Sequence, residues 1–260
     1  MTRPPVDAEL LADALRVAQG AAALTLDWFQ RDDLGIDHKA DGSEVTDADR
    51  AAETYVREQV AAKYPHDTVI GEEAGVSEGS STRRWIVDPI DGTASFVRGV
   101  PLYSTLLAVF DEHGPAVGAV HIPALNERVT AGRGRGCLHN GVPSRVSTID
   151  TVATSCVSTS AYDGSWWPTD ALLAVTGSGA KTRTWGDGYG YVLVATGRIE
   201  AMVEPALNTW DIAPMLTVIP EAGGVLSTWD GSTDLRQGAG WIASNGRIHD
   251  ELLGLVAVTT

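Results

Sequence analysis

The chain has 260 residues, 43% of them hydrophobic, and a formal net charge of −15. This length and apolar content suit one large domain or two closely packed ones and exclude a disordered chain. The acidic excess excludes a basic nucleic-acid surface, and it admits an anionic substrate only where metal ions invert the local field. Cys137 and Cys156 are the only cysteines and lack C-x-x-C spacing, which suits a reducing compartment without a disulfide framework. No apolar run is long enough to span a bilayer, and residues 1–7 lack an apolar signal core, so a cytoplasmic protein with no membrane association is expected.

In chain order, Leu10, Leu11, Ala14, Leu15, Ala18 and Ala22 recur at helical spacing and predict an amphipathic helix over 6–30. A polar connection over 32–43 follows, with a mobile tip at His38-Lys39-Ala40-Asp41-Gly42-Ser43. Thr46-Asp47-Ala48-Asp49 opens a second helix that Pro65 stops. Thr46-x-x-Asp49 matches a capping box, although a first-turn carboxylate can also orient a water while Thr46 caps alone. Thr68-Val69-Ile70 reads as a strand ending at Gly71-Glu72-Glu73, and Trp85-Ile86-Val87 as the end of a buried strand. Asp88 and Asp91 then occupy a turn stiffened by Pro89. Gly92 and Thr93 mark a helix start, where unpaired amides can meet an anion.

Strands are expected over 104–110, 117–122 and 128–131, with a turn at Asn140-Gly141. Beyond it the pattern predicts a strand over 152–158, a loop and short helix over 165–175, a strand over 181–184, a helix over 187–196 and a strand over 199–203. One helix over 210–222 places Pro214 in its first turn, while Pro220 should kink or end it. Strands over 224–228 and 241–244 and a helix over 248–256 complete the chain. The pattern divides into a half over 1–148, with helices before a largely antiparallel sheet, and a half over 149–260 that alternates strand and helix, joined as one compact unit.

Taken singly, the acidic residues have ordinary readings. Asp-x-x-Asp is a turn, Glu72-Glu73 a solvated pair, and Asp49 and Asp211 are helix caps. Together and in this order they resemble the inositol monophosphatase family: Gly71-Glu72-Glu73, then Asp88-Pro89-Ile90-Asp91-Gly92-Thr93-x-x-Phe96-x-x-Gly99-x-Pro101, then Trp210-Asp211. The resemblance implies a Mg²⁺-dependent, lithium-sensitive phosphatase of small metabolites, an α/β (α+β) chain folded as a layered α-β-α-β-α sandwich, and a homodimer. It assigns two or three Mg²⁺ ions to the carboxylates of Glu72, Asp88, Asp91 and Asp211 and the carbonyl of Ile90. The amides of Gly92 and Thr93 would hold phosphate, and Asp49 and the Thr93 hydroxyl would position the attacking water, with Glu72 part of the catalytic set.

Substrate choice falls to Arg183-Thr184-Trp185-Gly186-Asp187-Gly188-Tyr189-Gly190-Tyr191. This run resembles the histidinol-phosphate phosphatase branch of the family, with Gly188 where a Cys is more usual. Asp187 and Glu204 can pair with an ammonium or a protonated imidazole, Trp185 or Tyr189 can supply an aromatic wall, and Arg183 can neutralise phosphate. Asp211 counts among the substrate contacts as well. The alternatives are an inositol or sugar phosphatase, a 3′-phosphoadenosine nucleotide phosphatase, which the acidity disfavours, and an inactive phosphate-ligand sensor, which needs a missing motif residue where none is missing.

Overall fold

The computed structural model describes residues 3–40, 42–164 and 166–257; Asp41 of the expected mobile tip and Ser165 lie outside them. Asp7 opens α1 (Ala8–Trp28), its Oδ1 accepting the amides of Glu9 and Leu10 at 3.0 and 2.9 Å. Leu10, Ala14, Val17, Ala18 and Ala21 form the buried stripe of this helix. The connection after it is more ordered than its composition suggests, because β1 (Ile36–His38) and β2 (Glu44–Thr46) pair antiparallel. α2 (Asp47–Lys63) then starts from a complete capping box.

Eight strands form the first sheet: β3 (Thr68–Gly71), β4 (Gly75–Ser77), β5 (Arg84–Asp91), β6 (Ser104–Asp111), β7 (Gly114–Ile122), β8 (Glu127–Gly132), β9 (Gly136–His139) and β10 (Val142–Pro143). Their order is β10-β9-β8-β7-β6-β5-β3-β4, with β3 and β5 parallel and the other neighbours antiparallel. Asn140 and Gly141, at φ 48° and 83°, make the two-residue turn before β10. The strand carrying Asp88 runs further than expected. It reaches Asp91 through a bulge, with Asp88 paired to Leu106 and Asp91 to Ser104. Pro89 has no N–H for the ladder, so the bulge falls where a donor is missing anyway, and the Thr105 hydroxyl donates to the Pro89 carbonyl at 2.8 Å. The bulge re-aims both carboxylates before the short α3 (Thr93–Val97) begins.

The second half opens with a 3₁₀ turn at Val152–Thr154, so the strand expected over 152–158 is confined to β11 (Cys156–Ser158). α4 (Thr169–Gly177), β12 (Lys181–Arg183), α5 (Asp187–Ala195) and β13 (Ala201–Leu207) follow. The single helix expected over 210–222 is two, α6 (Thr209–Ile212) and α7 (Met215–Glu221). Pro214 is the N-cap of α7, where its missing N–H is not needed, and Pro220 sits in the last turn, one residue before the helix stops. β14 (Val225–Thr228), β15 (Ala239–Ser244) and α8 (His249–Val256) end the fold. The second sheet has the order β12-β11-β13-β15-β14.

The layers follow from which helix faces are apolar. α1 and α2 pack on the outer face of the first sheet, α5 and α7 lie between the sheets, and α8, with α4 against it, covers the second. The result is the α-β-α-β-α sandwich. One core cluster joins Leu106 and Val120 of the first sheet, Val192 and Val218 of the middle helices, and Met202 and Trp241 of the second sheet.

Candidate active site

The ends of β5, α3, α5, β13 and α6 border a cavity of about 710 Å³. Among its lining residues, Asp88, Asp91 and Asp211 each bring a carboxylate oxygen within 4.8 Å of the other two. Asp88 Oδ1 is buried and takes no hydrogen bond from the described residues. Asp91 Oδ2 accepts from the Ser104 hydroxyl and the Gly188 amide, both at 2.5 Å. Asp211 Oδ2 accepts the Asn208 amide at 2.8 Å, so this residue caps α6 and faces the cavity at once. Burial raises the pKa of all three. Neighbouring charge adds to it, chiefly from Glu72 on Asp88, Asp187 on Asp91 and Glu72 on Asp211, which is pushed up to about 7. Anions crowded in this way, the buried Asp88 with an oxygen that has no donor among the described residues, fit a divalent cation, and an all-oxygen set suits Mg²⁺.

Ile90 lines the same space, and its carbonyl accepts from the Thr93 hydroxyl at 3.0 Å, leaving one lone pair. Glu72 also lines it and pairs with Lys39 Nζ at 2.7 Å, which reaches Glu73 at 2.8 Å. Behind this turn stands Glu53, which the sequence does not single out. Its carboxylate accepts the amides of Glu73 and Ala74 at 2.8 and 3.0 Å and pairs with Arg57 at 2.7 Å. In the sequence Glu53 and Arg57 are an ordinary i, i+4 pair on a helix face, which carries no hint of this role.

Asp49 takes its place in the capping box of α2. Its Oδ2 accepts from the Thr46 amide and hydroxyl at 2.8 and 2.6 Å, while its Oδ1 is buried with no partner among the described residues. Burial pushes its carboxyl up to about 7. It stands behind the cavity wall rather than in it. Gly92, Thr93 and Ala94 line the cavity at the start of α3, where the first amides of a helix have no partner within it. Gly92 is required twice over, by its φ of 80° and because a Cβ there would lie 2.8 Å from Asp187 Oδ2.

The same cavity is lined by Asp187 and Glu204. Glu204 is buried. Its Oε1 accepts the Ser160 amide and hydroxyl at 2.7 and 2.6 Å, and its Oε2 the Thr159 hydroxyl at 3.2 Å. Ser160 Oγ also accepts the Asp187 amide at 2.9 Å, so one serine fixes both acidic residues. Burial pushes Glu204 up to about 7 and raises Asp187 as well. Asp187 is not the cap of α5, a place taken by Gly186; it is the first helical residue, held at φ 51°. A Cβ on Gly188 would lie 2.2 Å from Ser104 Oγ, which accounts for glycine in place of a larger residue.

Arg183, Trp185 and Tyr189 are not brought to the cavity. Arg183 donates to the Thr182 carbonyl at 2.8 Å and stacks on the Trp185 ring, while Arg198 lies over Tyr189. The aromatic lining comes from Tyr191 and from Trp166, which is 58% exposed. Trp167 turns the other way, is buried, packs on Tyr162 and Trp229 and donates to the Ala161 carbonyl at 2.9 Å.

Hydrolysis of a phosphate monoester is the chemistry this cavity permits, and the protein is of the class of metal-dependent phosphoric monoester hydrolases. The chain belongs to the inositol monophosphatase family, whose model matches residues 7–258. Among its relatives, the histidinol-phosphatase of Mycobacterium tuberculosis is 40% identical over 92% of this chain and 95% of its own. The histidinol-phosphatase of Chlorobaculum parvum is 38% identical over 94% and 95%. A solved IMPase from Thermotoga maritima superposes with a TM-score of 0.85 at 28% identity, covering 96% of this chain and 98% of that one. Enzymes of the family depend on metal, typically Mg²⁺, and act on small phosphorylated substrates. No helix among the described residues is long and apolar enough to cross a membrane.

Proposed function

We propose that the protein hydrolyses L-histidinol phosphate to L-histidinol and phosphate, a step of histidine biosynthesis. The observation that carries this reading is a second acidic pair, buried Glu204 and half-buried Asp187, in the same cavity as the carboxylate trio. Histidinol phosphate has an ammonium and an imidazole beside its phosphate, and each charge-assisted bond away from water contributes roughly 1.5–3 kcal/mol. An inositol ring can donate hydroxyls to these carboxylates but brings no cation to offset their charge. The relatives named histidinol-phosphatase support the same choice.

In this reading residues 1–148 supply most of the metal and phosphate contacts, and residues 149–260 supply Asp211 and the amine contacts. Glu72, Asp88, Asp91, Asp211 and the Ile90 carbonyl hold two or three Mg²⁺ ions. Bound Mg²⁺ would lower the pKa of the attacking water, polarise the phosphoryl oxygens and stabilise the leaving alkoxide. The Gly92 and Thr93 amides hold the phosphate. Asp49 Oδ1, the acceptor left over after capping, and the Thr93 hydroxyl orient the water, and a carboxyl near 7 suits Asp49 to take its proton. No side-chain nucleophile is required. Arg183, turned from the cavity, serves the turn around Asp187 rather than the phosphate. The enzyme works as a cytoplasmic homodimer.

The test is kcat/KM for histidinol phosphate against inositol 1-phosphate with Mg²⁺. A preference of about tenfold or more for the amine is expected. Equal turnover would return the protein to a broad inositol or sugar phosphatase, and no phosphate release from any phosphorylated metabolite would remove the catalytic reading.

A further inference from the structure

Tyr191 lies on α5 one helical turn after Asp187, so the two share a face. It is 2% exposed, its ring is packed into the core that joins the two sheets, and it borders the cavity. Its hydroxyl is buried and has no hydrogen-bond partner among the described residues. Buried tyrosine hydroxyls nearly always find a partner. Tyr191 lines the cavity together with Glu204, Asp211, Asp91 and Asp187. Phenylalanine would fill the same place in the core, so packing does not account for the oxygen.

An ammonium group carries three N–H donors. Glu204 already receives three hydrogen bonds, from the Ser160 amide, the Ser160 hydroxyl and the Thr159 hydroxyl, and Asp187 is set by its strained backbone. A third acceptor is needed beside them. We propose that the Tyr191 phenol oxygen completes a cradle with Asp187 and Glu204 for the ammonium of the substrate, and so sets selectivity for an aminated phosphate ester. The neutral phenol accepts one ammonium N–H, and no proton changes hands. This inference rests on the amine-reading role of Asp187 and Glu204 given above.

The experiment compares wild type and Tyr191→Phe, with Mg²⁺, on histidinol phosphate and on its desamino counterpart, 3-(imidazol-4-yl)propyl phosphate, alongside thermal melting. The expected result is a KM for histidinol phosphate raised about tenfold, a ratio of kcat/KM between the two esters lowered by about the same factor, and a Tm equal to or above wild type, since an unsatisfied buried hydroxyl is gone. A wild type that discriminates between the esters, with a variant that discriminates equally well, overturns the role of Tyr191 alone. A lowered Tm with equal losses on both esters makes the hydroxyl structural and overturns it too. A wild type that does not distinguish the esters overturns the amine reading itself, and this inference with it.

Discussion

Two groups of carboxylates line the cavity, the trio and the Asp187–Glu204 pair, and they differ in what the protein offers them. At the trio, Asp88 Oδ1 has no donor among the described residues, and the charges of Glu72, Asp91 and Asp211 crowd its carboxylate. At the pair, Glu204 receives three hydrogen bonds and Asp187 is locked through the same serine. The first arrangement is unfavourable until a strong cation arrives. The second has donors on Glu204, yet burial raises its carboxyl as well, so it also gains from a cation, and an organic one meets that need. Two acidic clusters in one cavity are thus tuned to different partners by the donors around them, not by their own chemistry.

Asp88→Asn tests the trio most severely. It removes a charge from the trio, and kcat/KM with Mg²⁺ should fall about 10³-fold, as several kcal/mol of transition-state stabilisation are lost. Chelation of wild type should do the same and reverse on adding Mg²⁺; near-normal turnover by the variant would take Asp88 out of the metal site.

The pair carries a pH signature. The pKa of Glu204 is raised from 4.5 to about 7, so the folded state binds the proton more tightly than the unfolded chain. Its contribution to stability is therefore full below about pH 4.5 and is lost as pH rises through about 7, by up to on the order of 3 kcal/mol. Melting of the metal-free protein between pH 5 and 8 should show a shallower decline for Glu204→Gln than for wild type. Parallel curves would mean that the group does not titrate in this window.

Asp187→Asn is preferred to alanine because asparagine tolerates the positive φ that this position adopts. It should lower kcat/KM about ten- to a hundredfold on histidinol phosphate and much less on inositol phosphate; equal losses would break the distinction between the two groups. The smallest effect is expected from Ser160→Ala, which removes one of the donors to Glu204 and the acceptor of the Asp187 amide. A rise of about fivefold in KM for histidinol phosphate, with kcat little changed, would mark it as a positioning residue. A matching loss on inositol phosphate would make it structural.

Signals that lie within a few residues of one another survive in the sequence. The Asn140-Gly141 turn, the capping box at Thr46 and the run from Trp85 to Thr93 are local, and each sits in the structure where its chemistry predicts. The bulge at Pro89 was less legible, because it depends on the register against β6. The break between α6 and α7 was hidden by an apolar pattern that runs through Pro214, and the β1–β2 hairpin by strands of three polar-rich residues each.

The residues that set up the site from behind left no trace. Ser160 is an unremarked serine until the fold brings it to Glu204, 44 positions away. Glu53 reads as a surface ion pair until the Glu72 turn closes over it, and Tyr191 reads as core. The sequence alone determined the reaction, through the family resemblance that Gly71-Glu72-Glu73, the run from Asp88 to Pro101 and Trp210-Asp211 carry together, although each taken singly is an ordinary turn or cap. Only the tertiary structure decided which carboxylates are supplied with donors and which are left in want of a cation. Hydrogen-bond satisfaction is a property of neighbours in space, and the chain order of Asp88, Asp187, Glu204 and Asp211 does not contain it.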